Sequence, residues 1–79
     1  MSESDIYGWF QAHDDYIKVV KSIETTPKKS SEIAEHTGIS IRRVASVLES
    51  LQRSKAVMYQ DDRWRSTDLA ITVLKKYYG

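Results

Sequence analysis

A small, mostly helical α+β fold is what this sequence predicts: a three-helix core, a two-stranded β-hairpin and a closing C-terminal helix. Three observations predict it. Residues 30–53, SSEIAEHTGISIRRVASVLESLQR, carry two helical apolar periods parted by one glycine, the pattern of a helix-turn-helix. Residues 56–66 change from helical spacing to alternation, with Asp61 and Asp62 as turn residues between AVMYQ and RWRS. Residues 68–78 then return to helical spacing. The 79 residues leave room for one domain. A domain of this length buries only about 60% of the surface its unfolded chain exposes, so the core must be economical.

Residues 1–12 read as an N-terminal extension and residues 13–79 as the domain. In the extension, Ile6, Trp9 and Phe10 recur at helix-compatible spacing over residues 5–12, with Asp5 as N-cap and Gly8 as a weak point. Over residues 14–24, Ile17, Val20 and Ile23 with Tyr16 and Val19 make one apolar stripe, and Lys18, Lys21 and Ser22 are expected to face solvent. His13 either lies on that stripe or marks a break. Thr25, Thr26 and Pro27 close the helix, because proline biases the residue before it to an extended conformation. Lys28 and Lys29 form an extended link.

The second core helix starts at Ser30 or Ser31 and ends by Thr37, where Gly38 can take the left-handed conformation of a sharp exit. Ile33 and Ala34 face inward, and Ile39 plugs the corner. Ser40 caps a third helix over residues 41–53, whose buried series is Val44, Val47, Leu48 and Leu51. Arg42, Arg43, Ser46, Glu49 and Ser50 are left on its other faces. On the second hairpin strand Trp64 points opposite to Arg63 and Arg65, so an indole packed on the helices sends both arginines to solvent. Ser66 or Thr67 caps the last helix, with Leu69, Val73, Leu74 and Tyr77 as its stripe.

Net charge is only +1, but it is segregated along the chain. Residues 1–26 sum to minus three, residues 27–56 to plus three and residues 57–79 to plus one. The positive segment is the helix-turn-helix, so a basic face is expected without a basic total. The chain has no cysteine, hence no disulfide and no thiolate chemistry, and stability must come from apolar packing. No apolar run approaches the roughly 20 residues that cross a bilayer, and MSESDIYGWF lacks the basic start and apolar stretch of a signal peptide. A cytoplasmic protein without membrane association is expected, nucleoid-associated if prokaryotic.

The order of elements and the local wording resemble the winged-helix family. The resemblance rests on SEIAEHTGIS over residues 31–40, V-x-x-x-L-x-x-L from Val44 to Leu51, and WRSTD over residues 64–68, and it covers about residues 14–78. It implies double-stranded DNA binding with the third helix in the major groove, as a small transcription regulator or a DNA-binding module. The same fold also serves protein contacts in replication and transcription complexes, which is the alternative. Two departures stand out. Lys55 occupies the place of a frequent glycine, and the hairpin tip carries Asp61 and Asp62, which phosphate would repel.

Carried onto this sequence, the resemblance makes Ser40, Arg42, Arg43 and Ser46 the residues that meet base edges and phosphates. An arginine fork matches guanine O6 and N7, a pairing worth ~1–3 kcal/mol of discrimination. The alternative is a solvated face with local pairs to glutamates. Lys28, Lys29 and Ser31 stand at the start of the second core helix, whose amides favour an anion. Arg63 and Arg65 would run along the wing. His13, Asp14 and Asp15 cluster, but capping and solvation explain them better than a metal, and His36 closes a helix as a dipole partner. No glycine-flanked nucleophile, P-loop or metal-hydrolase spacing occurs, so neither an enzyme nor a cofactor is expected. The terminal aromatics Trp9, Phe10, Tyr77 and Tyr78 either cover the core or form a homodimer surface, which would set two third helices about 34 Å apart.

Overall fold

In the computed structural model, which describes residues 3–78, His13 is a break. Its extended backbone (φ −145°, ψ 118°) separates α1 (Glu3–Ala12) from α2 (Asp14–Ser22). The chain then forms α3 (Ser30–Thr37), α4 (Ile41–Arg53), β1 (Val57–Gln60), β2 (Arg63–Ser66) and α5 (Asp68–Tyr78). This is an α+β fold of the winged-helix kind, mostly helical, with β1 and β2 as the hairpin wing.

α2 stops two residues short of the expected Glu24, and the cause is tertiary. The amides of Ile23 and Glu24 bond back to Val20 and Lys21 at 3.3 Å, tightening the exit. The orphan carbonyls of the last turn are taken by distant groups. Ser66 Oγ donates to Val20 O (2.8 Å), the Ser66 amide to Ile23 O (3.1 Å), and Lys28 Nζ to Ser22 O. Ser22 was expected at the surface but is only 7% exposed. Lys28 and β2 fold over it, and its hydroxyl donates to Val19 O at 2.7 Å.

Both exits of the helix-turn-helix use left-handed backbone. Gly38 (φ 77°) ends α3, its amide bonding Ala34 O at 2.9 Å. Ser40 Oγ then accepts the Arg43 amide at 3.2 Å and opens α4. At the far end Lys55 adopts φ 64°. The Ala56 amide reaches Leu51 O (2.8 Å) while the Lys55 amide reaches Gln52 O (3.1 Å), a Schellman closure with lysine where glycine is usual. An L-residue in that conformation costs roughly 1–2 kcal/mol, which the hydrogen bonds and the burial of Ala56 offset.

The wing is antiparallel, pairing Val57 with Ser66, Met58 with Arg65, Tyr59 with Trp64 and Gln60 with Arg63. Asp61 (φ 55°) and Asp62 (φ 66°) form its two-residue turn, both left-handed as a type I′ turn demands. Lys28 adds one antiparallel bridge to Trp64, with N···O distances of 3.0 and 2.7 Å, so the link before α3 borders the hairpin. Because Ser66 is tied to α2, Thr67 alone caps α5, accepting the Ala70 amide at 3.3 Å and donating to Lys55 O at 2.7 Å.

One core joins these elements. Ile6 and Phe10 of α1 enter it beside Val19 and Val20 of α2, Ile33 of α3, Val44, Val47, Leu48 and Leu51 of α4, and Ala70, Val73 and Leu74 of α5. Tyr77, expected on the buried stripe of α5, is instead half-exposed, and Ala70 takes the inner place. Tyr77 stacks on Tyr7 at 4.1 Å, Tyr78 meets Phe10 edge-on at 5.9 Å, and Trp9 stacks on Tyr16 at 5.0 Å. Phe10 is therefore part of the core and Trp9 packs against it, while Tyr77 and Tyr78 remain exposed. Among the described residues, every buried side-chain N or O has a hydrogen-bond partner.

Candidate nucleic-acid interface

α4 buries one stripe and exposes the other. With Val44, Val47, Leu48 and Leu51 inward, helical geometry puts Arg42, Ala45, Ser46, Glu49 and Gln52 on the outer side. Ala45, Leu48, Glu49 and Gln52 meet Ser30 of α3 and Trp64 of β2 around a shallow groove of about 290 Å³. α3, α4 and the wing thus converge on one surface, with α4 at its centre.

The expected cations fare differently on that surface. Arg42 is exposed and forms no ion pair among the described residues. Arg43 sits on the α2 side of the same helix end, its side chain partly exposed. Its Nε lies 3.1 Å from Asp15 Oδ2 on α2, and its guanidinium sits 5.8 Å over the Tyr16 ring. Ser40 uses its hydroxyl as the N-cap of α4, and Ser46 is exposed one turn beyond Arg42.

At the start of α3 the backbone amide of Lys29 donates to Glu32 Oε1 at 2.8 Å, and Ser31 stands exposed in the first turn. Both lysines there are engaged within the fold. Lys28 turns its ammonium to the Ser22 carbonyl, and Lys29 Nζ is 3.6 Å from Asp62 Oδ2 at the wing tip. Asp62 also accepts the Tyr59 hydroxyl at 2.6 Å. That hydroxyl, then Lys29 and Arg63, hold the Asp62 carboxyl below the usual aspartate range, and the same bond raises the Tyr59 phenol. Asp62 is therefore an acceptor already shared between a phenol and an ammonium.

Arg63 and Arg65 lie opposite Gln60 and Met58, on the strand face that alternates with Trp64. Trp64 lines the groove beside α4, so the two arginines point away from it, exposed as expected. The structure brings Ser40, Arg42, Arg43 and Ser46 together at one end of α4, and Lys29 to the wing tip, with Arg63 and Arg65 on the wing's far face. Ala45 and Gln52 were not singled out from sequence, and Glu49 was placed only on an outer face, although the 3.6-residue stripe complementary to the buried series contains all three. The partnership of Asp15 with Arg43 has no local signal, since 28 positions separate them.

Among the described residues, no group of three or more His, Asp or Glu side chains comes together to hold a metal ion. No described helix is long and apolar enough to cross a membrane. Compared with known proteins, residues 12–63 match the model of a family described as FaeA-like protein. The match spans α2, α3, α4, β1 and the first residue of β2. No curated protein and no solved structure matches the chain.

Proposed function

The chain belongs to the FaeA-like protein family, a helix-turn-helix family of the winged-helix type, and from that premise we propose that it binds double-stranded DNA sequence-specifically. α4 enters the major groove, and the protein acts as a small transcription regulator or as the DNA-binding module of a larger one. The observation that carries this is the N-terminal end of α4. There Ser40, as N-cap, and Arg42 and Ser46 on the helix stand exposed, and the opposite face of α4 is buried in the core, so their backbone positions are held in place. Arg42 has the shape to read guanine, and the start of α3, with Ser31 and Lys29, has the amides to hold a phosphate. Lys29 would exchange Asp62 for that phosphate.

An amide chemical-shift titration with a mixed-sequence duplex at low and then moderate salt tests this. Shifts at Lys29, Ser31, Ser40–Ser46 and the wing are expected, fading with a log–log salt slope of about −4 to −5 for four to six phosphate contacts. No shifts at low salt would sink DNA binding. A protein-binding winged helix is the second reading, favoured by the paired state of Lys28 and Lys29 and by the two aspartates at the wing tip. An apolar protein contact would change little with salt, which separates the two.

A further inference from the structure

We propose that Asp15, with Tyr16 beneath it, is a positioning residue that presents the Arg43 guanidinium to DNA. The inference rests on the DNA-binding function above. Arginine carries five N–H donors in a planar fork. In Arg43 the Nε donor is taken by Asp15 at 3.1 Å, which fixes the plane of the fork. No other hydrogen bond from the guanidinium to a described residue accompanies it, so the terminal nitrogens remain for phosphate oxygens or a guanine edge.

The platform below is equally fixed. The Tyr16 ring lies 5.8 Å from the guanidinium carbon and is itself only 4% exposed. Trp9 stacks on Tyr16 at 5.0 Å, and its indole N–H donates to Ser54 Oγ, the C-cap of α4, at 2.9 Å. α1 and α2 therefore grip α4 at both ends. They hold Arg43 from the side through a carboxylate and set the face of the Tyr16 ring 5.8 Å from its guanidinium carbon. A free arginine gives up rotamer freedom when it docks, whereas one held in this way has given up part of it beforehand.

Charge counting and positioning make opposite predictions for one substitution. Asp15→Asn removes a negative charge beside a polyanion's binding face, so charge alone would tighten DNA binding. If Asp15 positions Arg43, the same change weakens it by about tenfold, the scale of one lost oriented contact. The experiment measures duplex affinity at fixed salt for wild type, Asp15→Asn, Asp15→Glu, Arg43→Ala and the Asp15→Asn/Arg43→Ala double variant, with amide spectra to establish folding. Expected are weaker binding in Asp15→Asn, partial rescue by Asp15→Glu, and no further loss from Asp15→Asn once Arg43 is gone. In the free protein, the Arg43 Nε–H resonance should be sharp in wild type and broadened in Asp15→Asn. Equal or tighter binding by Asp15→Asn, or a loss that persists without Arg43, overturns the positioning role and leaves DNA binding intact. A wild-type chain that binds no duplex at low salt overturns both.

Discussion

At the N-terminal end of α4, Arg42 has no ion-pair partner among the described residues and Arg43 is held by Asp15, whereas at the wing Lys29 is tied to Asp62 and the two arginines face away from the groove. Both regions carry the same kind of residue, and a count of charges would rank them alike. What separates them is what contact with DNA requires. Arg42 has no carboxylate to leave among the described residues, and Arg43 can keep Asp15 on Nε while its terminal nitrogens reach out. Lys29, by contrast, meets Asp62 through its single ammonium nitrogen and gains only the difference between two partners.

The contrast breaks most completely if α4 loses its footing. Leu48 is buried against the core and also lines the groove beside Trp64. Leu48→Ala should destabilise the fold by about 2–5 kcal/mol, read from a denaturant titration. A loss below 1 kcal/mol would mean that α4 is not rigidly held.

Next in size is a direct test of the two regions. Arg42→Ala is expected to weaken duplex binding by about 1–3 kcal/mol and to relax preference at one base position. Arg65→Ala should change it by less than about 1 kcal/mol. Equal losses measured by fluorescence anisotropy at one salt concentration would erase the distinction.

Stability at the junction between the regions can be sharpened by a reciprocal pair. Lys55 joins α4 to β1 at φ 64°, while Gly8 sits inside α1 with open space where a Cβ would be. Lys55→Gly and Gly8→Ala should each stabilise by up to about 1 kcal/mol, seen as a rise of several degrees in Tm. A fall in Tm for Lys55→Gly would show that its side chain contributes more than its backbone strain costs.

The smallest effect is the most specific to the wing. Asp62→Asn releases Lys29, so duplex affinity should rise a few-fold and the salt slope steepen by about one. The pairing also has a pH window. The Asp62 carboxyl is held low, so its share of the pairing is present above the usual aspartate range and is lost as pH falls through the depressed value. The raised Tyr59 phenol gives the opposite limb, present below the usual tyrosine value and lost as pH rises through the raised one. A carbonyl-detected titration should find the Asp62 midpoint moved upward in Tyr59→Phe.

Much of the fold is legible in local pattern. The α4 bounds, the Gly38 exit, the Ser40 cap, the Asp61 and Asp62 turn and the alternation of Trp64 against Arg63 and Arg65 all follow from residue type and spacing, because each depends on neighbours within a few positions. Ser22, Tyr77 and the end of α2 do not, because each is set by a segment that returns from far along the chain. The placement of the candidate surface on α4 follows from the same spacing, but the engagement of its cations does not.

Sequence by itself determined that a helix-turn-helix and a hairpin form, where α4 begins and which of its faces is polar, since helix and strand periods and caps are local properties. Only the tertiary structure decided that Asp15 clamps Arg43, that Asp62 holds Lys29, and that Lys28 turns inward to cap α2. Those pairs join positions that only packing brings within hydrogen-bond reach, and a charge interacts with whatever the fold places beside it.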